Sequence, residues 1–292
     1  EVLGATFIVT EAAPQQVLGG RISDQCVTFI DLSNDIAPRE SMLDTISRKM
    51  EAPLSPTDPQ LFSFCLFKLS DDRFAWHHLY HHIIIDGFGY SLIARRVAEL
   101  YTAAIEDRAA PQAWFKPLAQ LLDIEQKYLS SDAFKSDRDF WGDYLSKLPA
   151  PTRFGESSRS FSRLPIRSSR RMEKPALDGI SELARVSETS LSRTLIAAVA
   201  AYLFRSTGVR DLSIGLPVSG RSAETRAIPS MMSNTLPMRL SIAPGMTMLE
   251  IVRIVDREIR TVLAHQRYPA SRLYLDAKRI RGYGSDFGPV IN

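Results

Sequence analysis

Seven residues, His81-His82-Ile83-Ile84-Ile85-Asp86-Gly87, set two imidazoles, a carboxylate and a glycine between an extended run and a helical one. Upstream, Phe74 to Tyr80 is aromatic and carries no helical stripe. Downstream, Leu92, Ile93, Val97, Leu100 and Tyr101 recur at helical spacing, so the heptapeptide is expected at a strand-to-helix corner. Loops at such corners, held by rigid flanks, are where catalytic groups tend to be found. An imidazole with its ordinary pKa of about 6.5 can take a proton at neutral pH. A nearby acid can orient it, and a glycine lets a substrate chain pass without meeting a side chain.

The surrounding pattern predicts a mixed α/β protein. Strands are expected over 5–9 and 27–32, and a helix from about Arg39 to Met50. Leu61 to Leu69 and Phe74 to His81 read as a hairpin joined by the polar link Ser70 to Arg73. A helix follows from about Tyr90 to Arg108, and two more from Leu118 to Ser130 and Asp132 to Leu148. The proline-rich stretch Leu148 to Thr152 is the best boundary, giving parts 1–150 and 151–292 with the change between about 148 and 175. A Ser/Arg-rich strand pair is expected next, its arginines Arg159, Arg163, Arg167, Arg170 and Arg171 reading as a solvated hairpin, with contact to an acidic partner such as a carrier protein or a phosphate-bearing cofactor as the alternative. In the second part, helices are expected over Leu177–Val186, Ser190–Arg205 and Met246–His265, and strands over Asp211–Val218 and Thr235–Ile242.

Composition excludes several classes. With 45% hydrophobic and 24% charged residues over 292 positions, the chain can bury a substantial core and is not of the disordered type. A net charge of +3 and a pI near 8.9 are too mild for a nucleic-acid binder. The two cysteines, Cys26 and Cys65, lack metal spacing and lie on apolar runs, as expected of thiols in a reducing, cytoplasmic compartment. The longest apolar run, Leu195 to Phe204, is far short of the ~20 residues that span a bilayer. The histidine pairs His77-His78 and His81-His82 lack the spacing of a zinc motif, so no metal is expected.

The HHxxxDG pattern of His81 to Gly87 resembles the signature of condensation domains of nonribosomal peptide synthetases, relatives of chloramphenicol acetyltransferase. Further stretches resemble that family's later elements in the same order. They are Ile214 to Arg221, Asn234-Thr235-Leu236-Pro237-Met238-Arg239, His265 to Pro269, and Phe287 to Asn292, with Tyr128 to Trp141 similar to its helix pair closing on a tryptophan. The wording around these motifs is similar to that of siderophore-type synthetases. One departure is Ser230, which stands where the family has a glycine.

The resemblance implies two acetyltransferase-like lobes with mixed sheets, forming a V with the active site at their interface. It also implies a fragment cut at both ends, since the family has further elements before Glu1 and after Asn292. By resemblance His82 receives the amine proton or holds the amine in line, and His81 is structural, on the expectation that strand neighbours face opposite ways. Asp86 is expected to form a structural ion pair, with Arg239 or Arg221 as partner. Gly87 gives an unobstructed path and a backbone donor, and Asn234 either lines the tunnel or merely ends a strand. His265 is expected to sit at a helix C-terminus, where the partial charge favours a cationic ring.

The function implied is amide formation between a carrier-bound acyl or peptidyl thioester and a carrier-bound aminoacyl acceptor. The partners implied are upstream and downstream peptidyl carrier domains and an adjacent adenylation domain, with no nucleic acid and no membrane. No cofactor is bound permanently; phosphopantetheine arrives on the carriers. The alternatives are a stand-alone acyltransferase using acyl-CoA or a carrier, and a non-catalytic platform that recruits partner enzymes. Epimerisation and heterocyclisation are disfavoured.

Overall fold

The computed structural model describes residues 1–11, 14–20, 22, 26–52, 54–155, 166–282 and 286–292. Contacts divide the chain into one unit of Glu1–Lys127 with Arg221–Met232, and another of Tyr128–Gly220 with Ser233–Asn292. The division at 150 suggested by the prolines differs from this one. Packing draws the helix before those prolines into the second unit, because Trp141 and Leu145 are fully buried in its core. A short segment from late in the sequence, 221–232, is claimed by the first.

In the first unit, β1 (Thr6–Val9) pairs antiparallel with β2 (Pro14–Val17), a strand with no alternating pattern and therefore missed in the sequence. β3 (Val27–Asp31) runs parallel to β4 (Phe62–Lys68), and the parallel pairing requires a crossover, supplied by α1 (Pro38–Glu51). β4 then turns into β5 (Phe74–Tyr80), antiparallel, in a register that sets Cys65 opposite His77 and Phe64 opposite His78. The polar link between them closes through Leu69 N–H donating to the Arg73 carbonyl at 2.8 Å. Cys65 and Phe67, two apart on β4, are wholly buried, as the period of a strand requires. α2 (Gly87–Ile105) follows, beginning three residues before the expected Tyr90. Leu61, Phe62, Ile84, Ile85 and Ile93 form the core under this corner. The proline-punctuated link from α2 to α3 (Leu118–Leu129) is held by Arg96 Nη2 donating to the Pro111 carbonyl and Trp114 Nε1 to Glu99.

The second unit contains α4 (Asp132–Ser146), α5 (Lys174–Val186), α6 (Leu191–Thr207), β6 (Asp211–Val218), β7 (Asn234–Ser241), α7 (Met248–Ala264) and α8 (Ala270–Arg281). β6 and β7 pair antiparallel from Asp211 opposite Ser241 to Val218 opposite Asn234. The small residues Ala197 and Ala200 of α6 are completely buried, allowing α7 to approach closely with Val252, Val255, Ile259 and Val262. Each such aliphatic side chain contributes roughly 1.5–3 kcal/mol on burial. Thr247 and Glu250 form a reciprocal capping box at the start of α7, which the Thr-x-x-Glu spacing encodes. α8 was not anticipated: its apolar positions are sparse, and Leu273 and Ala277 alone are buried among many charges.

Two further expectations differ. Of the Ser/Arg-rich strand pair, 156–165 with Arg159 and Arg163 lies outside the described residues, while 166–173, with Arg167, Arg170 and Arg171, is exposed and carries no strand. The Phe287 to Asn292 strand is reduced to one parallel bridge between Gly215 and Val290, supported by Gly215 N–H donating to Pro289 and Ile291 N–H to Gly215. Gly288 makes that approach possible. Its φ is +96°, and a Cβ there would lie 2.2 Å from the Ser213 carbonyl oxygen. Backbone in such a region costs an L-residue roughly 1–3 kcal/mol before any clash. Gly288→Ala is therefore expected to lower stability by at least about 2 kcal/mol in urea unfolding; a loss below ~0.5 kcal/mol would contradict the assigned backbone.

Candidate active site

The corner is built from β5 outward. His81 N–H donates to the Leu61 carbonyl at 2.8 Å, continuing the ladder one residue beyond Tyr80, and the chain then turns with Ile84 N–H on the His81 carbonyl. His81 and His82 therefore sit past the strand, so alternation across a strand does not separate their roles as expected. What separates them is bonding and burial. The His81 Nδ1 accepts from Ile83 N–H at 3.0 Å, which leaves the proton of its neutral ring on Nε2. His81 thus braces the turn. Ile84 and Ile85, 1% and 3% exposed, pin the turn into the core, while His82 stays exposed.

Asp86 ends the turn as the N-cap of α2, accepting from Gly89 N–H at 2.8 Å. Its other oxygen accepts from Arg221 Nη1 at 2.6 Å and from Met232 N–H at 2.9 Å. Both side chains of the ion pair are almost sealed, at 1% and 2% exposure. Burial, the largest single influence, works to raise the Asp86 pKa. The hydrogen bonds from Arg221, Gly89 and Met232 and the guanidinium charge together outweigh it and hold the carboxyl below its ordinary value. Arg221 also donates from Nη2 to the Ser230 carbonyl at 2.7 Å and lies 4.7 Å from the Phe88 ring centroid. The Asp86 partner is thus Arg221.

Arg239 is not that partner. It sits on β7 diagonal to Asp211 and grips that carboxylate with Nε at 2.9 Å and Nη2 at 2.7 Å. Asn234 opens β7 in the second unit, where its amide donates to the Tyr268 carbonyl at 3.0 Å and accepts from Thr235 N–H. Both ends of the amide are engaged and the residue is buried at the start of the strand. Gly87, at the first turn of α2, has open space around the position a Cβ would take. The first-turn N–H groups of a helix lack intrahelical acceptors, and here Asp86 takes the one at Gly89.

The other histidine pair belongs to the hairpin. His78 lies among Phe64, Trp76, Tyr80 and Tyr90, and burial, with a contribution from His77, lowers its pKa to about 4, so it is neutral at physiological pH. Among the described residues, no group of three or more His, Cys, Asp or Glu could hold a metal ion. His265 closes α7 as expected, but its Nδ1 meets Asp137 at 2.7 Å, and Tyr128 donates to the same carboxylate at 2.5 Å. The ring stacks on Phe140, so it is part of a structural network. Missed in the sequence were Gly89 and the backbone of Ser230 and Met232. The glycine two places after Gly87, inside a helix, was the available signal.

The family model for the condensation domain matches residues 1–292. The chain is 33% identical over 264 residues to the dimodular nonribosomal peptide synthase of Bacillus subtilis (strain 168), covering 90% of the chain and 11% of that protein. It is 28% identical to enterobactin synthase component F of Escherichia coli (strain K12), covering 92% of the chain and 21% of that protein. The chain thus spans about a tenth to a fifth of the length of these relatives. Among solved structures, the first condensation domain of the CDA synthetase superposes with a TM-score of 0.87 at 28% identity, covering 100% of this chain and 68% of that one. The starter condensation domain of rhizomide synthetase RzmA, in a variant bound to C8-CoA, gives 0.87 at 29% identity, covering 99% and 65%. No helix among the described residues is long and apolar enough to cross a membrane. With its intact HHxxxDG turn, its helix-capping, ion-paired aspartate and a family match end to end, the chain belongs to the condensation domains of nonribosomal peptide synthetases.

Proposed function

We propose that this domain forms an amide bond between an acyl or peptidyl thioester on one carrier domain and the amine of an aminoacyl thioester on another. The carriers flank it upstream and downstream, an adenylation domain adjoins it, and each substrate arrives on a phosphopantetheine arm. The domain needs no resident cofactor, because a thioester is already activated. The amine nitrogen attacks the donor carbonyl, a C–N bond forms, the C–S bond breaks, and the thiol leaves with the proton the amine gives up. His82 receives that proton or holds the amine in line. Gly87, with open space where a Cβ would stand, leaves the path past the turn unobstructed and offers its backbone N–H to the oxyanion. Asp86 and Arg221 do no proton transfer; their pairing fixes the turn that presents His82. The unpaired cysteines Cys26 and Cys65 fit a cytoplasmic setting.

The observation that carries this reading is an exposed His82 on a turn held before it by the His81 backbone on Leu61 and after it by the buried Ile84 and Ile85 and the helix-capping Asp86. Alignment of two tethered reactants supplies several kcal/mol, and one positioned base about 10²- to 10⁴-fold. The test offers the domain, within its synthetase, a donor carrier loaded with an acyl thioester and an acceptor carrier loaded with an aminoacyl thioester. An amide-linked product on the acceptor carrier is expected; hydrolysed donor alone would refute the proposal. A second reading, acyl-CoA as donor, is favoured by the C8-CoA complex of the rhizomide starter domain. Product from acyl-CoA with no donor carrier present would select it.

A further inference from the structure

We infer that Gly89 is a positioning residue for the transfer reaction: it is the seat on which the segment Arg221–Met232 rests against the start of α2. Glycine is among the poorest helix formers, so one at the third position of α2 calls for a reason. The space around it gives one. A Cβ on Gly89 would lie 2.9 Å from the Ser230 carbonyl oxygen, 3.0 Å from the Ser230 nitrogen and 2.7 Å from the Ile85 Cγ1. An isoleucine methylene can rotate away, whereas backbone moves only with its segment. Gly179 of α5 and Gly142 of α4, also helical, have nothing within 4 Å of the same position.

The displaced segment would not move alone. The Ser230 carbonyl is an acceptor for Arg221, whose other nitrogen holds Asp86, and Met232 N–H donates to the same carboxylate. Asp86 caps the helix on which Gly89 sits and stands four residues beyond His82. Gly89, Ser230, Arg221 and Asp86 thus close a ring around the end of the catalytic turn, and the bare Cα of Gly89 sets how tightly it closes. Ser230 takes part through its backbone, so the serine found where the family has a glycine is compatible with the seat.

The inference rests on the assignment of transfer to the His82 turn. In the full synthetase with both carriers loaded, Gly89→Ala is expected to lower kcat about 10- to 100-fold while changing either KM by no more than about threefold. Gly179→Ala, the open-space control, should transfer at the normal rate. Added to Arg221→Ala, Gly89→Ala should cost less than about a further twofold, because the ring is already open. Normal transfer by Gly89→Ala, or fully additive losses, would overturn the proposal. Should Gly89→Ala fail to fold, Arg221→Lys loosens the ring from the other side, keeping charge at Asp86 while shortening the reach to Ser230. Lost transfer with faster tryptic cutting after Arg226 supports the seat; intact transfer with unchanged cutting overturns it. A His82→Ala variant with full activity would sink the underlying assignment instead, leaving the Gly89 result to be judged separately.

Discussion

His82→Ala is expected to lower the rate of amide transfer between loaded carriers by about 10²- to 10⁴-fold, the contribution usual for one positioned base. Its fold should be unaffected, because His82 is exposed and the turn is secured by its neighbours. Ile84 and Ile85 are buried, His81 accepts from Ile83 N–H, and Asp86 caps α2. His81→Ala makes the contrasting case: it removes the brace at Ile83 N–H and should loosen the turn, lowering both stability and rate. Measured together, melting temperature and single-turnover transfer separate the two histidines. A His82→Ala domain that transfers at the wild-type rate would defeat the catalytic assignment. One that loses its fold would show the ring to be structural.

Asp86→Ala should be the most damaging single substitution for stability in the first unit. It strips the N-cap of α2, the acceptor for Met232 N–H and the partner of a guanidinium that is 1% exposed. Leaving such a charge buried without its counter-ion costs about 3–5 kcal/mol. The pH dependence follows from the depressed pKa of Asp86. A carboxyl bound more tightly as its anion in the folded state stabilises above the ordinary carboxylate value of about 3.9, and that stability is lost as pH falls through the folded value. The gap between wild type and Asp86→Ala in urea unfolding should therefore be full at pH 7 and shrink on acidification below about 4. A gap that stays constant to low pH, or one under ~1 kcal/mol at pH 7, would mean the pair is not the fastening described.

Local chemistry made most of this molecule legible. The hairpin of β4 and β5, the long helix α7 with its capping box, and the α2 stripe all come from periodicity and cap residues close in sequence. So do the histidine corner and its acid. Elements held by partners far along the chain were not legible. β2 has no alternation and exists because β1 lies beside it, and α8 buries two side chains among charges. The prolines after Leu148 mark a break in regular structure, but whether a helix belongs with what precedes or follows depends on which core accepts Trp141.

The choice between Arg221 and Arg239 was undecidable from sequence, since both are arginines in matching motifs. The register of β7 against β6 commits Arg239 to Asp211 and leaves Arg221 for Asp86. Sequence alone determined that two imidazoles, a carboxylate and a glycine stand together on a strand-to-helix corner. These depend on residue type and spacing over a few positions. Tertiary structure decided which arginine neutralises the acid, and what a side chain at position 89 would meet, because both turn on a segment more than a hundred residues away returning to hydrogen-bond distance of Asp86, the N-cap of α2.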